Sequence, residues 1–144
     1  MKARLARQAL LLIALAFVPA IGEAIYFRDK VSWQAPLPPS ELVTVAQARA
    51  WEGQAIWVDA RPEEEFSREH VPGAISLNED RWNDLFPQFR DTWLQSQDKK
   101  IVVYCSSQSC NVSREVVKRL RDEAPQIKNV FVLQGGWEEW LKTR

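Results

Sequence analysis

From Glu41 to the end of the chain, short β-rich runs alternate with stretches of helical periodicity. Parallel strands need a crossover, usually a helix, so this alternation predicts a mostly parallel sheet with helices on both faces. We therefore expect an α/β fold with a five-stranded, mostly parallel sheet. The clearest strands are expected at residues 56–58, 74–77, 101–104 and 130–133, with residues 101–104 as the most convincing central strand.

Capping and turn residues indicate where the helices begin. Thr44 can cap a helix that runs to about Trp51. Pro62 suits a first helical turn, and the acidic residues 63–65 are read as its solvated start rather than as a metal site. Proline breaks helix interiors, so Pro87 is expected to interrupt the helical residues 78–97. Further helices are predicted over residues 111–123 and 137–141, the second after a turn at residues 135–136.

The first 30 residues have the order of a signal segment, with basic residues before an apolar stretch. That stretch reaches the roughly 20 residues needed to span a bilayer only if it runs from Ala9 to Phe27. We expect residues 1–30 to be a single-pass anchor with the domain on the extracytoplasmic side. The alternatives are a cleaved signal peptide, which leaves a secreted or periplasmic domain, and an apolar helix packed on the domain. A stiff, extended Pro-rich linker at residues 31–40 would precede the globular domain at residues 41–144.

Charge and cysteine content exclude several functions. Nineteen Lys and Arg residues balance nineteen Asp and Glu residues, so no global field would attract nucleic acid or anionic lipid. Two cysteines and one histidine are too few for a disulfide scaffold or a four-ligand zinc site, and we predict no metal. The two cysteines, Cys105 and Cys110, instead follow closely after the predicted central strand.

Cys105 stands where a strand passes through a short polar loop into a helix. If the loop curls into a cradle, its amides and the first helical turn point N–H groups at one place and can hold an anion. Such surroundings lower the pKa of a thiol, which makes Cys105 a candidate nucleophile; the competing interpretation is an inert buried cysteine. The cradle would consist of Ser106, Ser107, Gln108, Ser109 and Cys110, with the hydroxyls of Ser106, Ser107, Ser109 and Ser113 as further donors.

Four sequence blocks occur in order along the domain: DARPEEEF at residues 59–66, HVPGAI at 70–75, VVYC at 102–105 and LQGGWEEW at 133–140. Together they resemble the rhodanese family of sulfurtransferases over residues 41–142. The resemblance implies a rhodanese fold and a Cys105 that cycles between thiol and persulfide. It also implies a small anionic sulfur donor such as thiosulfate or mercaptopyruvate, a thiophilic acceptor such as cyanide or a thiol, and no cofactor.

The loop departs from the commonest rhodanese pattern, which contains a Gly and often has an Arg at the sixth position, where this chain has Cys110. A dianionic donor benefits from a fixed guanidinium, so the change weakens the case for thiosulfate. Candidate substitutes are Arg61, Arg114 and Lys118. We hypothesise that Cys110 resolves the Cys105 persulfide or closes a disulfide with Cys105. The alternative is a small residue buried at the helix start.

Other residues of the four blocks are assigned supporting roles. Asp59 and Arg61 match a family position near the active loop, although Asp59 also suits a purely structural role that bonds local backbone amides. His70 is read as structural, because attack by a preformed thiolate needs no base. Trp137, after two glycines, could wall the pocket. The tryptophans assigned to the core are Trp82, Trp93 and Trp140.

Two other classes of protein compete with this interpretation. A phosphatase or arsenate reductase of related cysteine-loop architecture would need an arginine to close the loop, where Cys110 and Asn111 stand. The second is a non-catalytic docking or thiol redox-sensing module at the membrane, because a fold does not fix a function. The non-standard loop favours this second class, and the presence of Cys105 argues against it.

Overall fold

The computed structural model describes residues 37–107 and 111–143, together with residues 8, 17, 19 and 21–23. The chain divides into two compact units, Met1–Trp33 and Gln34–Arg144. In the first unit, residues 21–23 are helical. None of the helices in the described part of the chain has the length and apolar character required to cross a bilayer. The anchor predicted from Ala9 to Phe27 lies mostly outside the described residues and stays a prediction.

The second unit is an α/β fold built on a five-stranded sheet. All strand pairs are parallel, and the order across the sheet is β1-β5-β4-β2-β3. The predicted fold is confirmed, with a sheet that is parallel throughout. The elements are β1 (Leu42–Val43), α1 (Val45–Arg49), β2 (Ala55–Asp59), α2 (Glu63–Arg68), β3 (Ile75–Ser76), α3 (Trp82–Leu94), β4 (Lys100–Tyr104), α4 (Val112–Glu123), β5 (Val130–Leu133) and α5 (Gly136–Lys142).

The middle strand β4 is the one that the sequence indicated most clearly. Its residues from Ile101 to Tyr104 are fully buried, as expected for a parallel strand covered on both faces. It pairs with β2 over its whole length, and Asp59 at the end of β2 lies opposite Tyr104. The strand therefore delivers Cys105, its next residue, to the carboxyl edge of the sheet beside Asp59.

Helices α3 and α4 cover one face of the sheet, named here the α3–α4 face. Its core is a single cluster of apolar residues in which Phe89, Val103 and Val116 are fully buried. Trp82 and Trp93 belong to this core, as predicted. Leu37, just before the first strand, also packs against it.

Helices α1 and α5 cover the opposite face, named here the α1–α5 face. Thr44 caps α1 through a capping box with Gln47, which confirms the predicted helix start. Val102 and Tyr104 are buried on this face, but the aromatic residues around them are only half-buried. These half-buried residues are Trp51, Trp57, Phe131, Trp137 and Trp140.

One proline prediction was wrong. Pro87 does not interrupt its helix, since α3 runs unbroken from Trp82 to Leu94. Pro87 lies on the exposed side of α3, while Leu85 and Phe89 keep the opposite side on the core, so tertiary packing outweighs the local penalty. At the end of the predicted linker, residues 39–41 form one turn of 3-10 helix, because a proline at the start of a turn loses no hydrogen bond there. Residues 31–36 lie outside the described part of the chain, so the extended linker stays a prediction.

Candidate active site

Cys105 is buried directly after the middle strand, with 3% of its surface exposed. Its Sγ atom lies 3.4 Å from the carbonyl oxygen of Ser107 and 3.4 Å from Oγ of Ser113. Ser113 is in the first turn of α4 and is itself only 1% exposed. The sulfur is therefore held at the start of a twelve-residue helix, with a buried hydroxyl beside it.

The loop that follows Cys105 is described only in part. The hydroxyl of Ser106 donates a hydrogen bond to Oε2 of Glu65 at 3.1 Å. The carbonyl oxygen of Ser107 accepts a hydrogen bond from the Cys105 thiol. Gln108, Ser109 and Cys110 lie outside the described residues. The predicted cradle, and the resolving or disulfide-forming role of Cys110, accordingly stay predictions.

The start of α5 holds the other side of this loop. The amide of Trp137 donates to the carbonyl oxygen of Cys105 at 2.7 Å, and the amide of Glu138 donates to that of Ser106 at 3.2 Å. Gly136 has a φ of +56°, and a Cβ atom there would collide with the Cys105 carbonyl oxygen. The sequence indicated the turn at residues 135–136, but not this close approach to the candidate nucleophile.

Asp59 and Arg61 form a buried ion pair next to the loop, with exposed side-chain fractions of 0% and 3%. Nη2 of Arg61 lies 2.6 Å from Oδ2 of Asp59, and Nε lies 3.0 Å from Oδ1. Burial disfavours the charge on Arg61, but the hydrogen bonds and Coulombic attraction of Asp59 outweigh it and raise the pKa of the guanidinium. Asp59 also accepts from the backbone amide of Arg61, the local bonding predicted for it.

The guanidinium of Arg61 has further partners besides Asp59. Nη2 donates to the carbonyl oxygen of Glu69 at 2.7 Å, and Nη1 lies 3.4 Å from Oε2 of Glu65. The group also stacks over the ring of Trp137, 4.5 Å from its centroid. Arg61 is thus connected to the candidate loop through Glu65, which accepts a hydrogen bond from Ser106. Its positive charge is paired with the Asp59 carboxylate.

Glu65 is a residue that the sequence reading missed. The acidic run at residues 63–65 was interpreted as a solvated helix start, and Glu64 is indeed exposed. Glu65, by contrast, accepts hydrogen bonds from Ser106 and from Arg61 through the same oxygen. Its position four residues after Arg61, in the first turn of the predicted helix, was the available signal.

Trp137, the predicted pocket wall, lies beside the candidate loop. Its ring stacks on Tyr104, with centroids 6.2 Å apart. Tyr104 is buried and accepts a hydrogen bond from the amide of Val71 at 3.0 Å. Burial and the negative charge of Asp59 raise the pKa of the Tyr104 phenol well above its usual value.

Two other cations, both on α4, were proposed as substitutes for the missing loop arginine. Arg114 and Lys118 line a pocket on α4 together with Leu37 and Arg121. Arg114 is half-buried and follows Ser113, whose hydroxyl is at the sulfur. The proposed roles of Arg114 and Lys118 toward a sulfur donor stay predictions.

His70 has the surroundings of a structural residue. Its ring stacks on Phe66 with centroids 4.1 Å apart, and Nδ1 lies 2.9 Å from the Phe66 carbonyl oxygen. Among the described residues there is no group of His, Cys, Asp and Glu side chains that could hold a metal ion. The chemistry available in the described part of the site is therefore that of the Cys105 sulfur and its hydrogen-bonding neighbours.

A parallel α/β sheet with a buried cysteine between its middle strand and a helix defines a class of cysteine-loop domains. Residues 42–143 match the family model described as rhodanese-like domain. The chain belongs to the rhodanese-like domain family.

A curated relative is an HTH-type transcriptional regulator of Mycobacterium tuberculosis, 30% identical over 104 residues. The match covers 71% of this chain and 42% of the regulator, so this chain spans less than half of that relative's length.

Several solved structures share the fold. The BH2092 protein of Bacillus halodurans is 24% identical with a TM-score of 0.58, covering 87% of this chain and 82% of that one. A thiosulfate sulfurtransferase of Pseudomonas aeruginosa is 22% identical with a TM-score of 0.53, and the match covers 78% of this chain and 20% of that one. A single-domain sulfurtransferase of Saccharomyces cerevisiae is 18% identical with a TM-score of 0.53, and the match covers 78% of this chain and 94% of that one. At these identities the likeness concerns the fold alone.

Proposed function

We propose that this protein is a sulfurtransferase that carries sulfane sulfur as a persulfide on Cys105. Membership of the rhodanese-like family supports this class of reaction. The observation that carries the proposal is the position of the Cys105 sulfur, buried at the start of α4 with the Ser113 hydroxyl 3.4 Å away. A helix start and a buried hydroxyl both stabilise negative charge on sulfur.

The proposed reaction has two displacement steps. The Cys105 thiolate attacks the outer sulfur of a donor such as thiosulfate, a new S–S bond forms, the donor's S–S bond breaks, and sulfite leaves with the electron pair. An acceptor such as a thiolate or cyanide then attacks the outer sulfur of the persulfide and regenerates the Cys105 thiolate. Neither step requires a cofactor or an external oxidant.

The buried surroundings of Cys105 suit this cycle better than they suit an inert core position. The loop carbonyls of Cys105 and Ser106 are held by amides of α5, and the hydroxyl of Ser106 is held by Glu65. A loop fixed in this way keeps its geometry while the charge moves between thiolate and persulfide, which lowers the reorganisation that each step needs.

Intact mass measurement of the full-length chain tests the proposal. Wild type treated with thiosulfate or mercaptopyruvate should gain one sulfur, about 32 Da, that a reductant removes. The Cys105→Ser variant should show no gain, and Cys110→Ser should gain the sulfur but retain it longer if Cys110 resolves the persulfide. Absence of any gain in folded, reduced wild type would overturn the proposal.

A redox-sensing or docking role is the second candidate. The curated relative whose segment is similar to this chain is an HTH-type transcriptional regulator, and a fold does not fix a function. A protein of this kind would gain no sulfur from either donor, yet oxidation of Cys105 would change its hydrogen-exchange protection around α4 and α5.

A further inference from the structure

Arg61 holds its guanidinium buried beside the candidate loop, with 3% of the side chain exposed. Nε and one N–H of Nη2 donate to the two oxygens of Asp59, and the other N–H of Nη2 donates to the carbonyl oxygen of Glu69. Nη1 donates to Oε2 of Glu65. Four of the five N–H groups of this arginine therefore have acceptors within the protein. Little of its hydrogen-bonding capacity is left to bind the charge of a sulfur donor.

The same guanidinium lies over two aromatic rings. Its central carbon, Cζ, is 4.5 Å from the centroid of the Trp137 ring and 5.6 Å from that of the Tyr104 ring. The two rings stack on each other, with centroids 6.2 Å apart and planes inclined by 24°. We name these three side chains the Arg61 cluster. Stacking of this kind uses the planar guanidinium, which a lysine does not have.

Both aromatic residues of the Arg61 cluster are joined directly to the candidate nucleophile. Tyr104 precedes Cys105 in the chain, and the backbone amide of Trp137 donates to the Cys105 carbonyl oxygen at 2.7 Å. A third connection runs through Glu65, which accepts both from the guanidinium and from the hydroxyl of the residue after Cys105. Displacement of the guanidinium would therefore shift the backbone on both sides of Cys105.

We propose that Arg61 is a positioning residue, which holds the Cys105 loop through Trp137 and does not bind the charge of the sulfur donor. The inference rests on the proposed sulfurtransferase function. A misplacement of about 1 Å can slow a reaction about a hundredfold, so loss of a positioning residue slows sulfur transfer from every donor. A donor-binding cation would instead act on the affinity for charged donors, most strongly for dianions, because Coulombic attraction is proportional to charge.

Three variants and one double variant test the contact between Arg61 and Trp137. Arg61→Lys keeps the positive charge but loses the planar group, and persulfide formation at saturating donor should fall about tenfold. Trp137→Leu removes the ring, keeps the backbone amide, and should have a similar effect. Since both changes break one contact, the double variant should be slowed much less than the product of the two effects. Arg68→Gln is the matched control. It removes an exposed cation from the pocket that Arg61 and Trp137 also line, and should change the rate by less than about twofold, because exposed charges are screened.

Two donors of different charge separate positioning from donor binding. Thiosulfate is a dianion, and methanethiosulfonate is a monoanion that also has a terminal sulfane sulfur. Attack by the Cys105 thiolate forms the same persulfide from either donor, and sulfite or methanesulfinate leaves with the electron pair of the broken S–S bond. In Arg61→Lys the maximal rate should fall equally for both donors, and the donor concentration at half-maximal rate should change little. A larger loss with thiosulfate, or a wild-type rate with both donors, would overturn the proposal.

Hydrogen exchange of the full-length chain without any donor gives a readout that is separate from activity. In Arg61→Lys the amide of Trp137, which donates to the Cys105 carbonyl, should exchange about tenfold faster. The amide of Ile101, in the buried middle strand, should keep its wild-type rate. Trp137→Leu carries the same comparison should Arg61→Lys not fold. Unchanged exchange at residue 137, or equal acceleration at both amides, would contradict a positioning role. Wild type that forms no persulfide with either donor would instead overturn the sulfurtransferase function itself.

Discussion

The two faces of the sheet are packed in different ways. The α3–α4 face is a continuous apolar cluster. The α1–α5 face carries half-buried aromatic rings and the buried phenol of Tyr104, and its Trp137 stacks with the buried Arg61. The difference indicates that the α3–α4 face supplies most of the stability. The α1–α5 face holds the loop through α5, and α4 of the α3–α4 face adds the Ser113 hydroxyl at the Cys105 sulfur.

The comparison makes its strongest prediction for two phenylalanines, one on each face. Phe89 on α3 is fully buried, and Phe131 on β5 is half-buried beside Trp51. Phe89→Ala should lower the free energy of unfolding by about 3–5 kcal/mol through lost burial and a cavity, and Phe131→Ala by about half as much. Urea denaturation of the two variants and wild type measures both values. Equal losses would show that the α1–α5 face is as important for stability as the α3–α4 face.

A pair of glycines tests whether the start of α5 supports the candidate site. Gly136 and Gly53 both have positive φ, but only at Gly136 would a Cβ atom meet the Cys105 carbonyl. Gly53→Ala should cost about 1 kcal/mol from backbone strain alone. Gly136→Ala should cost about 2–4 kcal/mol, because overpacking adds to the strain.

The same substitution at Gly136 should also slow persulfide formation on Cys105 about tenfold or more, since a small displacement of reacting groups has a large effect on rate. Gly53→Ala provides the matched control, because nothing lies within 4 Å of its added methyl group. A Gly136→Ala variant with the wild-type rate would show that the hydrogen bonds from α5 do not position the nucleophile.

The sequence predicted the fold well because the strands have strong local signals. The apolar run before Cys105 became the middle strand, and Thr44 and Pro62 mark helix starts as expected. Five strands were predicted but only four were located. Strand β1 was not located because two residues are too few for a pattern, and it forms through its pairing with β5. The prediction for Pro87 was wrong because it considered only the local cost of proline in a helix. The packing of α3 on the core outweighs that cost.

The candidate site was harder to read from sequence. Cys105, Asp59, Arg61 and Trp137 could be named from their blocks, and the structure brings them to one edge of the sheet. The partnership of Glu65 with Ser106 joins residues 41 positions apart, so no local pattern reveals it. The collision that excludes a side chain at Gly136 likewise depends on how α5 approaches the loop.

The smallest expected effect concerns pH and the buried phenol of the α1–α5 face. The pKa of Tyr104 is raised in the native state, first by burial and then by the charge of Asp59. Above about pH 10 the unfolded chain loses this proton while the native state keeps it, so native stability falls as pH rises, by up to about 1.4 kcal/mol per pH unit. Below pH 9 both states keep the proton and the contribution is constant.

Tyr104→Phe tests this effect, because it removes the phenol hydroxyl and keeps the ring. At pH 7 the variant should be about 1 kcal/mol less stable, since the amide of Val71 loses its acceptor. Between pH 10 and 11.5 the free energy of unfolding of wild type should fall more steeply than that of the variant. The difference of about 1 kcal/mol at pH 7 should therefore become smaller, as urea denaturation at each pH would measure. Parallel pH dependence would mean that Tyr104 titrates at its ordinary pKa, which would make the α1–α5 face more hydrated than its burial indicates.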